Sequence, residues 1–532
     1  MPKYLKILDK HGGRIPIATY YGGYEGATTG RRMTSSWGTA VYGPNAALSN
    51  NLALLRSRSR EMARNNALAS GAIDSFVSSM VGSGIVPRWQ IKDNIDLKEE
   101  VQELWNDSIQ DFDVEGQLDF YGQQSLAARS MIESGECFVQ KVYRRSNSGL
   151  LVPIQFKILE PDLLDETYNV DLSNGNIIRM GIEFNRLGER IAYHMYQDHP
   201  GEYHSFRTNS YTRKRIPARY ILHLGRPLRP GQIRYRPWLS SVLLKLRDID
   251  QCDDAELVRR KTTAMFGGFF TRSMDTDAGM PEIFGDVSDQ GSGSADLVGL
   301  EPGTFTELPP GFDVQFSQPH DVSGNYLDWI RQQLRTVARG LGVSYEQLSG
   351  DLENVNYSSI RAGLTEFRRM CTSMVNNTII RQLCRPVAQA WLESAVLTGA
   401  ISIPDFTDNR RKYYRIKWQP EAFDWVDPAK EQEAYKDAVR CGFMSRDQVI
   451  ATLGSDAEVV DAQNAADNER ADRYGLIYDS DPRRTAKNGA KQNDGTDADE
   501  TEEVQDDGFS DQSTMDDDED GVDSAYWDSR GR

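Results

Sequence analysis

The sequence contains no apolar run approaching the roughly 18 residues of a spanning helix, and its first 30 residues lack the apolar core of a signal peptide. Membrane insertion is therefore not expected. Cysteine is scarce: Cys137, Cys252, Cys371, Cys384 and Cys441 are odd in number, scattered and without a CxxC pair, which points to a reduced, intracellular place of synthesis. Among only six histidines, His194, His199 and His204 recur every five residues, a spacing that suits neither a helical zinc pair nor HExxH. GxSxG, GxxxxGK[ST] and GxGxxG are all missing, so the common hydrolase, nucleotide-phosphate and dinucleotide signatures are absent. No catalytic residue, cofactor or metal ligand is expected.

A basic surplus is missing too. The 532 residues carry 61 Lys plus Arg against 79 Asp plus Glu, a net charge of -18. Tight grip on a phosphate backbone needs Lys and Arg to displace counterions, and this composition does not supply it. The charge is unevenly spread. Residues 494–528 hold 16 acids and no base, residues 1–65 are +7, residues 267–324 are -9, and the remainder sums to zero. With 39% hydrophobic and 26% charged residues, the chain is globular in composition and long enough for two to four domains.

The N-terminal stretch to about residue 46 is rich in Gly, Tyr, Thr and Ser and reads as an extended or disordered arm. Helical spacing of apolar residues then predicts helix from Asn50 to Val81, from Leu97 to Asp111 and from Tyr121 to Ser134. Between Gly135 and Leu224 the period switches toward two, in short β-branched and aromatic segments separated by SNSG, DLSNGN and NRLGE turns. The expectation is a mostly antiparallel sheet with helices against it, an α+β fold.

Residues 239–265 contain no Gly or Pro and predict a helix of roughly 40 Å. Ten Gly and five Pro in residues 267–324 exclude continuous helix and predict short strands or loops. Leu327, Ile330, Leu334, Val337 and Leu341 then form an apolar helical stripe. On the same helix Arg331, Arg335 and Arg339 recur every fourth residue and share a face. That strip could meet phosphate or an acidic neighbour, but a solvated face with local ion pairs is the commoner outcome.

Gly350 and polar residues interrupt the chain over 342–357. Helix resumes from about 358 to 397, with Pro386 predicting a kink or break near Leu383. Beyond it, ISIPDF and YYRIKWQPEAF look like a strand pair, followed by helices near 428–440, 445–453 and 456–475. From Ser480 the acidic tail is too polar to order itself.

Three segments in order carry a resemblance. VARGLGVSYEQLSGDLENVNYSSIRAGLTEFRR at 337–369, LRSRSREMARNNALASGAIDSFVSSMVGSGI at 55–85, and RIPARYILHLGRPLRPGQIRYRPWL at 215–239 with DAELVRRK at 254–261 are similar to the portal proteins of lambda-like tailed bacteriophages. The resemblance spans most of residues 50–475. It implies a virion ring of identical subunits, normally a dodecamer, at one capsid vertex. That ring is the channel for packaging and ejecting double-stranded DNA, and is assembled in the host cytoplasm.

The family architecture has wing, stem, clip and crown regions, a long spine helix and a ring-forming body. Mapped onto this chain it gives a flexible basic arm at 1–48, a wing at 49–238, a first stem helix at 239–266 and the clip at 267–324. A second stem helix at 325–341, a channel loop at 342–357, a spine helix with wing at 358–398, a crown at 399–475 and an acidic tail at 476–532 complete it. The implied partners are the terminase large subunit, a head-tail connector or adaptor, the major capsid protein, and a scaffold or head protease.

On this reading Asp351, Glu353, Asn354 and Asn356 lie near the lumen, and Arg331, Arg335 and Arg339 are largely paired to acids or confined to a narrow ring. A neutral or acidic wall lets DNA slide, whereas many unpaired arginines would hold it. Two other classes remain in play at this point. One is a non-portal scaffold associated with nucleic acid, which would show a continuous basic groove. The other is a soluble enzyme, for which Ser134, His223 and nearby carboxylates would need to converge.

Overall fold

A helical N-terminal layer leads into the body. The computed structural model describes residues 41–202, 212–265, 268–270, 305–307, 326–353, 357–423 and 427–476, with 478 and 483. The expected arm up to residue 40, nearly all of the clip, Asn354, Asn356, His204 and the acidic tail lie outside the described residues. Helix α1 (Pro44–Ser49) forms at the end of the expected arm, and two helices, α2 (Leu52–Asn65) and α3 (Ala67–Met80), replace the single helical stretch expected over 50–81. The break falls at Asn66, whose side chain accepts from the Ala69 amide at 2.8 Å and so caps α3, while its amide donates to Asp250 at 2.8 Å.

Strand β1 (Val86–Trp89) precedes α4 (Ile95–Ser108) and α5 (Phe120–Ser134). Asn94 and Asp119 cap these two helices, accepting from Leu97 N at 3.0 Å and Gly122 N at 2.7 Å. Helix α5 stops at Gly135, which has a left-handed φ of 92°. A Cβ there would lie 2.4 Å from the Arg236 carbonyl carbon, so both conformation and space require glycine.

The period-two region folds as expected, but into two sheets. It comprises β2 (Glu136–Tyr143), β3 (Ile154–Leu159), β4 (Val170–Asp171), β5 (Ile177–Arg179), β6 (Ile182–Phe184), β7 (Arg190–Met195), β8 (Lys214–Pro217) and β9 (Ile221–Gly225). Strands β3-β2-β9 form one sheet and β4-β5-β6-β7-β8 the other, and every neighbouring pair is antiparallel. The segment IIRMGIEFN supplies two strands, β5 and β6, because Met180 (φ 48°) and Gly181 (φ 82°) turn it back on itself.

The expected helix at 239–265 begins with a short 3-10 turn, Trp238–Ser241, and continues as α6 (Leu243–Met265). Within 267–324 two short strands are described, β10 (Gly268–Phe270) and β11 (Phe305–Glu307), paired in parallel. Helix α7 (Tyr326–Leu341) returns, followed by α8 (Tyr345–Ser349), which carries a capping box of Ser344 and Gln347. Helix α9 (Tyr357–Met374) then runs into ten residues of π-helix, Val375–Cys384, and on into α10 (Arg385–Thr398).

Pro386 was expected to kink or break the chain near Leu383. The helical path instead continues, with the Arg385 amide bonded to the Ile380 carbonyl. The wider π turn takes up the clash that a proline ring makes with the carbonyl four residues earlier. The expected strand pair after residue 400 is also corrected. Phe406–Tyr413 is a helix, α11, and β12 (Ile416–Gln419) pairs antiparallel with distant β1. Helices α12 (Pro428–Arg440) and α13 (Arg446–Thr452) follow.

The described residues fall into two compact units, one ending at Ala457 and the other beginning at Glu458. In the second, most of α14 (Ala457–Tyr474) is a charged helix with an Arg470–Asp467 pair one turn apart. The core of the first centres on aromatic rings brought together from distant segments. Trp105 packs edge-on to Trp391 at 5.0 Å and to Trp89 at 5.3 Å, and Phe112, Phe120 and Phe156 extend the cluster. Trp391 Nε1 donates to Ser108 Oγ at 2.9 Å, fixing α10 against α4.

Candidate functional site: the Arg331 loop and a buried ion network

The loop between α7 and α9 is built by local capping. Gly342 (φ 88°) ends α7 and Gly350 (φ 69°) ends α8, so the chain turns twice within ten residues and delivers Asp351 beside α7. Tyr345 donates to Asp351 Oδ2 at 3.0 Å, the Asp351 amide donates to Ser349 Oγ at 3.2 Å, and the Glu353 amide donates to Asp351 Oδ1 at 3.1 Å. Arg331 Nη2 approaches Asp351 at 3.7 Å and Glu353 at 3.5 Å. The Glu353 amide, then the Tyr345 hydroxyl and the Arg331 guanidinium, hold the Asp351 carboxyl below its usual range.

Of the seven residues singled out from sequence, the structure thus brings Arg331, Asp351 and Glu353 together. Arg335 stacks over the Tyr345 ring at 5.5 Å. Arg339 lies apart from this group and pairs with exposed Glu366 at 3.3 Å. Asn354 and Asn356 are outside the described residues.

A second constellation went unread in the sequence. Glu136 begins β2 and is fully buried, with Arg234 Nη2 at 2.6 Å, Arg56 Nη1 at 3.8 Å and the Tyr235 amide donating at 3.2 Å. Arg234 also donates to the Met180 and Pro161 carbonyls at 3.0 and 3.3 Å, tying together both sheets' loops. His223 on β9 sits between Glu136 Oε2 and Arg190 Nη1, each at 3.0 Å. Since a guanidinium can only donate, His223 Nδ1 accepts and its Nε2 proton goes to Glu136.

Burial pushes the His223 pKa down to about 4, against the opposing pull of Glu136. Burial would raise Glu136, but Arg234 and His223 overcome it and bring its pKa to about 2. At neutral pH the network is therefore a carboxylate, a neutral imidazole and guanidinium groups. Arg56 and Arg60, both from the RSR segment, reach Asp162 at 3.2 and 2.7 Å.

Ser134 and His223, the residues an enzyme reading would need, have other engagements: the Ser134 hydroxyl accepts from Arg60 Nε at 3.0 Å. His194 bonds Glu183 at 3.2 Å, and His199 lies 3.2 Å from Glu160 and 3.9 Å from Asp162. Glu160, Asp162 and His199 have converging ligand atoms, but Asp162 is already neutralised by two arginines. Burial raises the Cys137 thiol to about 12, leaving it protonated and inert. Among the described residues no helix is long and apolar enough to cross a membrane.

This is a mixed helix and sheet protein whose distinguishing local features are a capped loop tied to an arginine helix and a buried ion network between sheets. Residues 30–374 match the family model of phage portal proteins, lambda family. The chain belongs to that family. It is 29% identical to a probable portal protein of Halomonas phage phiHAP-1 over 68% of each chain. It is 24% identical to portal protein B of Escherichia phage lambda over 86% of this chain and 91% of that one, and 24% identical to the portal protein of Escherichia phage N15 over 86% and 92%. Among solved structures, the neck of a native gene transfer agent particle has a TM-score of 0.37 and 12% identity, covering 80% of this chain and 97% of the other.

Proposed function

We propose that this chain is the ring-forming subunit at the unique capsid vertex, surrounding the channel through which double-stranded DNA is packaged and ejected. Membership of the lambda portal family across residues 30–374 is the observation that carries the reading. In it, α6 and α7 are the two stem helices, residues 267–324 the clip, 342–357 the channel loop, α9 to α10 the spine and 399–475 the crown. The role is structural, with no catalytic residue, cofactor or metal.

The loop electrostatics support a sliding wall. Arg331 faces two carboxylates, so the loop offers little unpaired positive charge for phosphate to displace counterions from. The -9 clip is the docking face for the terminase large subunit and later the head-tail connector, contributing complementarity and encounter rate more than affinity. The basic arm meets major capsid protein, scaffold or head protease.

Electron microscopy of the purified full-length chain tests this. Rings with a central hole are expected. A chain that stays monomeric at the highest soluble concentration and also fails to co-assemble with its capsid protein overturns the reading.

A further inference from the structure

We propose that the groove between α1 and the β5–β6 hairpin receives residues 33–40 of the same chain, with the Trp37 indole seated in it. That segment lies outside the described residues, and the inference does not depend on the ring reading above.

Helix α1 is held to the body at two points. Leu48, with Leu52 just beyond the helix, is buried against Met180 beside Ile233. Asn45 donates to the Gly231 carbonyl and accepts from the Ile233 amide, each at 2.9 Å. Between helix and hairpin these contacts leave a groove of about 630 Å³, walled by Ala46 on α1, by Ile177, Met180 and Phe184 on the hairpin, and by Ile233. Ile177 and Phe184 stand directly opposite each other across the two strands, so their side chains share a face. Ile177 nevertheless keeps 38% of its surface exposed. An aromatic side chain buries about 150–250 Å² when it is enclosed, and a groove of this size and lining suits one.

The place where the described chain begins points to the occupant. Val41 is fully exposed, and the carbonyl of the next residue, Tyr42, accepts from Arg229 at 3.1 Å. The backbone therefore emerges tied to the loop that carries Ile233. Forty residues precede Val41, and the nearest of them, MTSSWGTA at 33–40, contain no charge and one aromatic residue, Trp37. Four residues separate Trp37 from Val41, a reach of at most ~14 Å, while Ala46 stands in the first turn of α1 just beyond. So short a tether gives the chain's own segment an effective concentration in roughly the millimolar range, well ahead of the same segment on a neighbouring copy.

Charge agrees with this choice. The rim cation Arg179 is already paired with Asp171 at 2.6 Å, so an uncharged segment enters without breaking an ion pair, and Arg31 and Arg32 stay outside. The Arg179 guanidinium is also a cation against which an indole face packs favourably. Seated there, Trp37 fixes the point from which residues 1–32, six basic and two acidic, leave the body.

The test uses the full-length chain with p-benzoylphenylalanine replacing Trp37, irradiated, digested and read by mass spectrometry. Cross-links to the peptide holding Ile177, Met180 and Phe184, or to the one holding Ile233, are expected. When chains labelled with nitrogen-15 and unlabelled chains are mixed before any assembly, each cross-link should join peptides of one label. Ala46→Glu places a charge in the groove from an exposed helix position and is expected to cut the yield at least fivefold with circular dichroism unchanged. In the chain with its natural Trp37, amide exchange over 33–40 should be at least tenfold slower than in a free peptide, and Ala46→Glu should remove that protection. Cross-links that join the two labels assign the groove to a neighbour's segment and overturn the proposal. Cross-links elsewhere, a yield indifferent to Ala46→Glu, or exchange at the free-peptide rate overturn it as well. Monomers and rings both give these readouts, so a chain that forms no ring removes the proposed function and leaves this inference standing.

Discussion

Glu136 shows how much one buried carboxylate can decide. It has no exposed surface and faces Arg234, which has none either, so its replacement by Gln leaves a guanidinium charge buried and uncompensated. Removing one partner of such a pair costs about 3–5 kcal/mol. Glu136→Gln is therefore expected to lower the unfolding free energy by about that amount in urea titration, whereas Gln at exposed Glu366 changes it little. The same network sets a pH dependence. Folded His223 resists protonation to about pH 4, while the unfolded imidazole binds a proton near 6.5. Between those values the unfolded state holds more protons, so stability falls as pH falls. Glu136 extends the loss from 4.5 toward about 2, where the unfolded carboxyl is protonated and the folded one is not. Thermal midpoints measured from pH 7 to 4 should decline steadily, and His223→Gln should flatten that decline.

Elements, by contrast, are governed by termination and partner choice. Gly135 ends α5 with a left-handed φ and stands against the Arg236 backbone, so Gly135→Ala combines strain with a clash that neither side can relieve. A loss of about 2–4 kcal/mol in denaturant unfolding is expected, well above the ordinary Gly-to-Ala effect of under ~1 kcal/mol. Periodicity made most elements legible: the stripe over 326–341 is a helix, and period-two segments became strands. It did not say what each element packs against. Leu327 belongs to the α7 stripe, yet is 66% exposed, whereas Val337 at the other end is buried. YYRIKWQ reads as a strand, but its partner is β1, more than 300 residues earlier, so pairing it with adjacent ISIPDF was the natural error. Nothing in single-residue propensities distinguishes π from α at 375–384; only Pro386 hinted at irregularity. The buried network was illegible because Arg and Glu are counted as surface residues until burial is seen. The Arg331 loop was partly legible, through the fourfold arginine spacing and the Gly350 break.

At the scale of the whole molecule, the question for the proposed function is why a DNA channel should be built from a chain of net charge -18. A conduit must meet a polymer with one negative charge per ~1.7 Å and yet release it, so unpaired cations along its wall are a cost. The described loop shows how this can be arranged locally: Asp351 and Glu353 sit within 3.7 Å of Arg331 and mask it. Substituting both acids by Lys exposes Arg331 and adds two cations per subunit, with all three groups at least partly exposed, so the fold should tolerate it. For the proposed ring, duplex binding by wild type is expected to be weak at physiological salt. The Asp351→Lys, Glu353→Lys variant is expected to bind more tightly, with the slope of log affinity against log salt steeper by about 0.9 for each phosphate newly contacted. Fluorescence anisotropy with a short duplex across a salt series measures both quantities. If affinity and slope stay at wild-type values while the variant still forms rings, the loop does not face DNA. The masking of Arg331 would then serve only to hold the turn between α7 and α9.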